Sequence, residues 1–377
     1  MAGIEYRMFL DNRPASRSEL DRVEEITVEQ EVDMAWEARI GILISVDEKG
    51  NWRREDEDFV RSFARARVEI RTGQSGFVPL IDGPVVEVDA EKHAEPGRSL
   101  ATVVVQDDSQ ALNRVEDIVL FEELPDHEIA VRLYKEHPEI ATTYVEEGKA
   151  PVSSVPAFVI QHGTPMQLLR SLAKRQGMHA YVLPGENPGQ STGCFRKFAT
   201  QPDGLPELVL LGAARTLETF KVTRNRQKQA DTRAASLRIK DKTVVSQESG
   251  LSDLDGETMG DASVMEGMGS TLGTQILPPS QGESVDLGQA VKAKTSELSY
   301  ALYATGEVRD FCYSGVLQPY RVVSVKAGGT TESGDYLITS VTHSLTRWRY
   351  GQSFSATRNA LSDVSAGAAA DLIGKVF

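Results

Sequence analysis

The sequence predicts a β-rich α+β chain of two to three domains, and three observations carry that prediction. Ile26, Val28, Val32, Met34, Ala38, Ile40, Ile42 and Ile44 all fall on even positions, while Thr27, Glu29, Glu31, Asp33, Glu37 and Arg39 occupy odd positions between them. That period-2 alternation marks strand, one face dry and one wet. A single well-signalled helix stands mid-chain at Thr164–Gly177, and a second run of strands fills Gly315–Asn359. The chain has 377 residues, and at roughly 100–200 residues per domain that makes two to three domains.

The alternation over Ile26–Ile44 is too long for one straight strand and requires a bend or hairpin near Asp33–Glu37. Further strands are predicted at Ala66–Ile70, Phe77–Ile81, Val85–Val88 and Leu100–Gln106, with Asp82-Gly83-Pro84 as a turn between the second and third. Many short strands separated by turn signals make a barrel or a sandwich. From Asp107 to Gly148 the character changes, and Glu116–Leu124 and Ile129–His137 read as short helices separated by Pro125-Asp126. In the mid-chain helix, Thr164 is the N-cap and Pro165 suits the first helical position. Met166, Leu169, Leu172 and Ala173 form its apolar stripe, and Gly177 supplies a left-handed stop. Strands at Ala180–Leu183 and Leu208–Leu211 make this middle unit α+β.

Gly250–Asp286 is rich in Gly, Ser, Met and acidic residues and has no periodicity. By composition alone it is a disordered loop; the expectation is that a neighbouring subunit pins it. Val291–Ala304 reads as a short helix. Tyr320–Val325, Asp335–Leu345 and Gly351–Arg358 read as strands, with turns at Gly328-Gly329 and at Trp348–Gly351. Beyond Asn359 a short Ala-rich tail is expected to be a frayed helix.

The formal net charge is -14, from 41 basic and 55 acidic residues. Phosphate binding needs clustered Lys and Arg, so this balance argues against a general nucleic-acid binder and against adsorption to anionic membranes. The acidic surface serves solubility, or else lines a channel that repels anionic cargo. Cys194 and Cys312 have no metal-like spacing and are expected to be reduced, buried thiols. No stretch approaches the roughly 20 apolar residues of a membrane span, and Met1–Asp11 carries no signal pattern. A soluble chain made in the cytoplasm, leaving by lysis or within a particle, is the expectation.

Candidate chemistry fails on spacing. His127-Glu128 with His137 invites a zinc-protease reading, but that chemistry needs His at i and i+4 with Glu between. Gly267-Met268-Gly269-Ser270 sits in low-complexity sequence with no Lys following, unlike a nucleotide loop. Asp253, Asp255 and Glu257 resemble a calcium loop, but Gly256 is fourth rather than sixth. Cys194 with His162 or His343 is a chance triad, and His343 in an alternating strand reads better as a hydrogen-bonded structural residue. No catalytic residue, cofactor site or metal site is assigned.

The chain end carries the most specific pattern. Gly315–Val325 is followed by Gly328-Gly329, by Ser333-Gly334-Asp335-Tyr336-Leu337-Ile338-Thr339-Ser340-Val341-Thr342-His343, and by Tyr350-Gly351-Gln352-Ser353-Phe354-Ser355-Ala356-Thr357-Arg358-Asn359. This resembles the phage late control D family, the hub proteins of contractile phage tails, which are akin to the N-terminal part of VgrG spikes. In that pattern a "G-Y-hydrophobic-hydrophobic-x-x-V-x-H" strand precedes a last strand ending "F-x-x-x-R-N"; here Asp335 separates the glycine from the tyrosine. Met166–Gly177 before His179-Ala180-Tyr181-Val182 resembles the family's "x-F-L-x-R-L-A-x-x-x-G" helix and aromatic strand, and Phe220–Arg226 the start of its second barrel. The resemblance covers most of residues 4–245 and 290–360; the segment near 250–286 departs from it.

The resemblance implies two tube-protein-like β-barrels with an inserted α+β domain, and a homotrimer that forms a pseudo-six-fold ring. The implied division is 1–110 first barrel, 111–205 helical linker and α+β domain, 206–249 with 290–360 second barrel, 250–289 acidic insert and 361–377 tail. It implies a structural baseplate hub joining a six-fold tail tube to a three-fold spike, in a virion or phage-like particle. Expected partners are further copies of the chain, a tube or tube-initiator protein, a separate spike, and tape-measure and wedge proteins, with DNA or cargo only passing through. Tyr320, Arg321, Tyr336, His343, Arg358 and Asn359 are the candidate interface residues. The alternatives are a tail-associated peptidoglycan hydrolase or peptidase and a carbohydrate-binding module; the latter would need exposed aromatics on one surface.

Overall fold

The computed structural model describes residues 4–53, 58–73, 76–95, 97–148, 158–225, 228–238, 242–254, 258–260, 262–263, 273–277 and 287–362. The alternating segments of the first and last thirds resolve into one thirteen-stranded sheet. Its path runs Leu217–Arg224, Leu302–Val308, Tyr350–Arg358, Gly334–Thr346, Val23–Glu31, Glu37–Leu43, Leu100–Gln106, Val78–Glu91, Arg65–Thr72, Ile4–Leu10 and Arg13–Pro14. Val322–Lys326 branches from Gly334–Thr346 and carries Leu208–Val209 on its far side.

The two β blocks are therefore continuous. Val23–Glu31 lies antiparallel to Gly334–Thr346, with Ser340 opposite Glu31 and Thr346 opposite Glu25. Burial fixes this register, because a one-residue slip would bring Ile26 and Val28, both fully buried, to the wet face. Each block has a core of its own, and Leu345 and Tyr350 of the last block reach into that of the first. Ile40, Ile42, Val68, Ile70, Val103 and Val105 build one; Leu217, Val325, Ile338, Val341 and Phe354 build the other. The bend expected near Asp33–Glu37 is present: strands end at Glu31 and resume at Glu37, and Asp33 takes φ +60°, a left-handed conformation that Asp tolerates better than most residues.

Asp82-Gly83-Pro84 differs from its expected role as a turn. It lies inside one long strand, Val78–Glu91, whose first part pairs with Arg65–Thr72 and whose second part pairs with Leu100–Gln106. A Cβ on Gly83 would sit 1.8 Å from the Gln106 carbonyl oxygen. The glycine permits a corner where two backbones touch.

The middle unit packs a two-stranded sheet (Asp117–Glu122 with Phe158–Gly163) and a three-stranded sheet (His179–Pro184, Ser191–Arg196, Ile140–Val145) around two helices, Asp126–Lys135 and Pro165–Gln176. Glu116–Leu124, expected as a helix, is strand: Val119 and Phe121 turn inward and Ile118 and Leu120 outward, a period of two. The Pro165–Gln176 helix forms as expected. Thr164 and Gln167 cap each other's backbone, Gly177 takes φ +69°, and Met166, Leu169, Leu172 and Ala173 are buried.

Residues 206–249 divide between two sheets. Leu208–Val209 and Leu217–Arg224 belong to the large sheet. Ala230–Arg238 and Thr243–Ser249 instead form a separate sheet with Gly273–Ile276, covered by the helix Leu287–Ser299. That helix stops at Ser299, short of the expected Ala304, because Leu302, Ala304, Gly306 and Val308 alternate inward as strand Leu302–Val308. Described pieces of the acidic segment are held by this chain's own strands: Gly273–Ile276 pairs with Ala230–Arg238, and Ala262–Ser263 with Ala360–Leu361. Residues 250–254, 258–260 and 277 of that segment are also described; its remaining residues up to 286, and the tail after Ser362, lie outside the described residues. No described helix is long and apolar enough to cross a membrane.

Candidate assembly site at the junction of the β blocks

Five of the six candidate interface residues are buried within this chain. Tyr320, Tyr336, His343, Arg358 and Asn359 are between 0 % and 8 % exposed. A side chain without surface offers nothing to a partner in this conformation, and the contacts show what these residues hold instead.

Arg358 and Asn359 form a latch. The Arg358 guanidinium donates to the Met259 carbonyl at 3.1 and 3.3 Å, to the Ser333 carbonyl at 2.9 Å and to Ser362 Oγ at 2.8 Å, and it lies over the Tyr336 ring. Met259 N–H donates to Asn359 Oδ1 at 2.9 Å. The "R-N" ending thus ties part of the acidic segment to the last strand of the large sheet. Tyr336 donates its hydroxyl to the Glu332 carbonyl at 2.7 Å and packs edge-on against Phe220.

His343 bridges the two blocks. Its Nε2 lies 3.2 Å from Gln30 Oε1 and its Nδ1 2.9 Å from Tyr350 Oη. Gln30 Nε2 in turn donates to the Leu80 carbonyl at 2.7 Å. Since Gln30 Oε1 can only accept, the proton belongs on Nε2, and Tyr350 donates to Nδ1. Burial pushes the imidazole pKa down to about 3, so the ring is neutral. The structural reading of His343 holds.

Tyr320 sits where all three units meet. It adopts φ +67° and stacks face to face on Tyr181 of the middle unit. Its hydroxyl accepts the Asp33 N–H of the first block at 2.8 Å. His179 completes the junction, stacked on Phe198 with Nδ1 3.0 Å from the Asp33 carboxylate. Arg321 alone of the six keeps appreciable exposure, and its guanidinium is forked onto Asp203 at 2.7 and 2.8 Å.

Sequence reasoning missed a second joint. Arg65, Arg67 and Glu69 alternate with Ala66, Val68 and Ile70 and look like an ordinary wet face, yet Arg67 and Glu69 are about 2 % exposed. Arg67 pairs with Glu69 at 2.6 Å and Asp82 at 3.1 Å and donates to the carbonyls of Gly185, Glu186 and Asn187. Arg65 forks onto Asp108, which accepts Ser191 Oγ at 2.6 Å, and Asp82 accepts the Gly189 N–H at 2.9 Å. The loop 185–191 of the middle unit is thereby fastened to the first block by buried charge. Only the number of charged residues in one strand could have flagged it.

The rejected chemistry can be placed. Cys194 is buried, and burial pushes its thiol pKa up to about 12, which leaves it protonated and unreactive. Cys312 is exposed, contrary to the expectation of two buried thiols. Among the described residues no group of three His, Cys, Asp or Glu side chains is arranged to hold a metal. Asp255, Glu257 and Gly267–Ser270 lie outside the described residues.

No family model and no curated protein matches this sequence. Solved structures do match the fold. The 43 kDa tail protein of prophage MuSo2 from Shewanella oneidensis is similar with a TM-score of 0.64 at 13% identity, over 95% of this chain and 100% of that one. A tail protein from Neisseria meningitidis MC58 gives 0.60 at 11% identity, over 95% and 97%. An Escherichia coli component of the type VI secretion system, described as structurally similar to the T4 tail proteins gp27 and gp5, gives 0.51 at 10% identity, over 94% and 76%. The chain has the fold of phage tail proteins and of their secretion-system relatives, in line with the family resemblance read from its last strands.

Proposed function

We propose that this chain is the hub subunit of a contractile phage tail or phage-like injection system, a structural part that joins the tail tube to a separate spike. Three copies, each supplying two tube-like β-barrels, make a pseudo-six-fold ring around a channel. The tube or a tube initiator seats on one side and the spike on the other, tape-measure and wedge proteins attach around them, and cargo passes through. The ring assembles in the host cytoplasm and resides in the particle.

The observation that carries this reading is the unbroken strand path from one β block into the other through Val23–Glu31 and Gly334–Thr346. It makes the two blocks one rigid wall, as a subunit that presents two neighbouring tube-like units requires. The full-length likeness to tail proteins supports it. Mass in solution combined with negative-stain imaging tests it: a trimer with a central hole is expected, and a stable monomer at high concentration refutes it.

A further inference from the structure

The small sheet of Ala230–Arg238, Thr243–Ser249 and Gly273–Ile276 shares no strand pairing with the large sheet, and among the described elements it packs chiefly on the helix Leu287–Ser299. The layer between them is unlike the other interiors of the chain. The sheet side supplies Ala230, Thr232, Ala234 and Ser249, with Gln229 at its end. The helix side supplies Val291, Thr295, Leu298 and Ser299, and all nine residues are at most 5% exposed. Only Val291 and Leu298 are large and apolar. Neither they nor Ala230 and Ala234 join any of the hydrophobic cores of the chain.

The polar groups of this layer are poorly paired. Thr232 stands opposite Ser249. Thr232 Oγ1, Ser249 Oγ and Gln229 Oε1 are buried, and among the described residues they meet no hydrogen-bond partner. The Thr295 hydroxyl has one proton for two carbonyls, Ser249 at 3.2 Å and Val291 at 3.0 Å. Gln229 Nε2 reaches the Ser299 carbonyl only at 3.4 Å. A buried polar atom left unpaired costs stability, and a layer of Ala, Ser and Thr regains little of it by burying apolar area. Elements held in this way open locally, before the whole chain unfolds.

We infer that this sheet is a flap that lifts off the helix while the large sheet and the middle unit stay folded. The helix is the anchored half. Gln289 Nε2 donates to the Gln176 carbonyl of the middle unit at 3.2 Å, and a Cβ on Gly177 would lie 3.2 Å from that of Ala293. Past Ser299 the chain enters Leu302–Val308, a strand inside the large sheet. The sheet has no comparable hold, so it is the part that moves. The flap belongs to the single chain, and it stands or falls independently of the ring.

Thiol accessibility in the full chain tests it. Cys312→Ser leaves only the buried Cys194. Ala234→Cys then places a thiol under the flap, and Ala101→Cys places a matched one inside the large sheet; the two alanines are 4% and 2% exposed. Under native conditions A234C is expected to react with a maleimide at least tenfold faster than A101C, and equal rates would overturn the flap. Adding Thr232→Val and Ser249→Ala, which remove the unpaired hydroxyls, is expected to slow labelling of A234C at least fivefold. Unchanged or faster labelling would mean that those hydroxyls do not loosen the sheet, and would overturn the inference as well. The unsubstituted chain gives an independent reading. Hydrogen exchange in Ala230–Arg238 is expected to be at least tenfold faster than in Leu100–Gln106, each an inner strand of its sheet; equal protection refutes local opening.

Discussion

Tyr181 and Tyr320 lie ring on ring, centroids 3.6 Å apart and planes within 6°. One comes from the middle unit and the other from the turn that leads into Val322–Lys326, so the stack fastens two units that share no sheet. Burial holds the Tyr320 hydroxyl pKa well above its ordinary value, so it stays neutral at the junction.

Replacing Tyr320 by Phe removes only the oxygen that accepts the Asp33 N–H. A loss of about 1 kcal/mol is expected. Replacement by Ala removes the stack as well and should cost about 3–5 kcal/mol. Urea unfolding of the two variants measures both, and equal losses would refute the division.

Gly83→Ala places a methyl where the Gln106 carbonyl already lies. Neither backbone is the yielding end of a flexible side chain, so loss of the folded state or a large fall in Tm is expected. Gly50→Ala meets nothing within 4 Å and bears only its φ of +80°, so about 1 kcal/mol is expected there. Parallel thermal scans compare them.

Arg67→Met takes from Glu69 and Asp82 their shared buried cation and leaves Glu69 to the half-exposed Arg7 and Asp82 to Arg65. Removing one partner from a buried ionic cluster costs about 3–5 kcal/mol. Because Arg67 also holds the carbonyls of 185–187, the middle unit should loosen first. Hydrogen exchange at Ser191–Arg196 is expected to rise before exchange in Leu100–Gln106 does.

His343 binds its proton at about pH 3 when folded and near 6.5 when unfolded. Between those values the unfolded chain holds more protons, so stability falls as pH drops, by up to about 1.4 kcal/mol per pH unit. Asp107 acts in the opposite sense. Burial raises its pKa from 3.8 to about 6, so its contribution favours the fold below that window and is lost as pH rises through it. The two oppose between about pH 4 and 6, and His343 prevails below. His343→Gln is expected to flatten the acid limb of a stability–pH curve, and an unchanged limb would assign it to other groups.

The period-2 pattern made the strands of the large sheet readable, and the Thr164–Gly177 signals made the helix readable, because each rests on local chemistry. The helix expected at Glu116–Leu124 failed where Ile118 and Leu120 face outward: apolar residues on both strand faces hide a period of two. The Gly83 corner was misread because a turn signal and a backbone crossing both select glycine. The latch of Arg358 on Met259 and the clamp of Arg67 on 185–187 join residues about a hundred positions apart, and no local pattern encodes such distances. The site residues were chosen from motif positions, and these positions are specified by what the chain holds inside itself.

The seam between Val23–Glu31 and Gly334–Thr346 joins segments separated by nearly the full length of the chain. Such high contact order makes folding slow, because loop-closure entropy is lost before the pairing rewards it. During synthesis, one edge of Val23–Glu31 waits without its partner until the last strands emerge. An unsatisfied strand edge invites wrong pairing with other chains. The seam that makes the two blocks one sheet can close only after Gly334–Thr346 has been made.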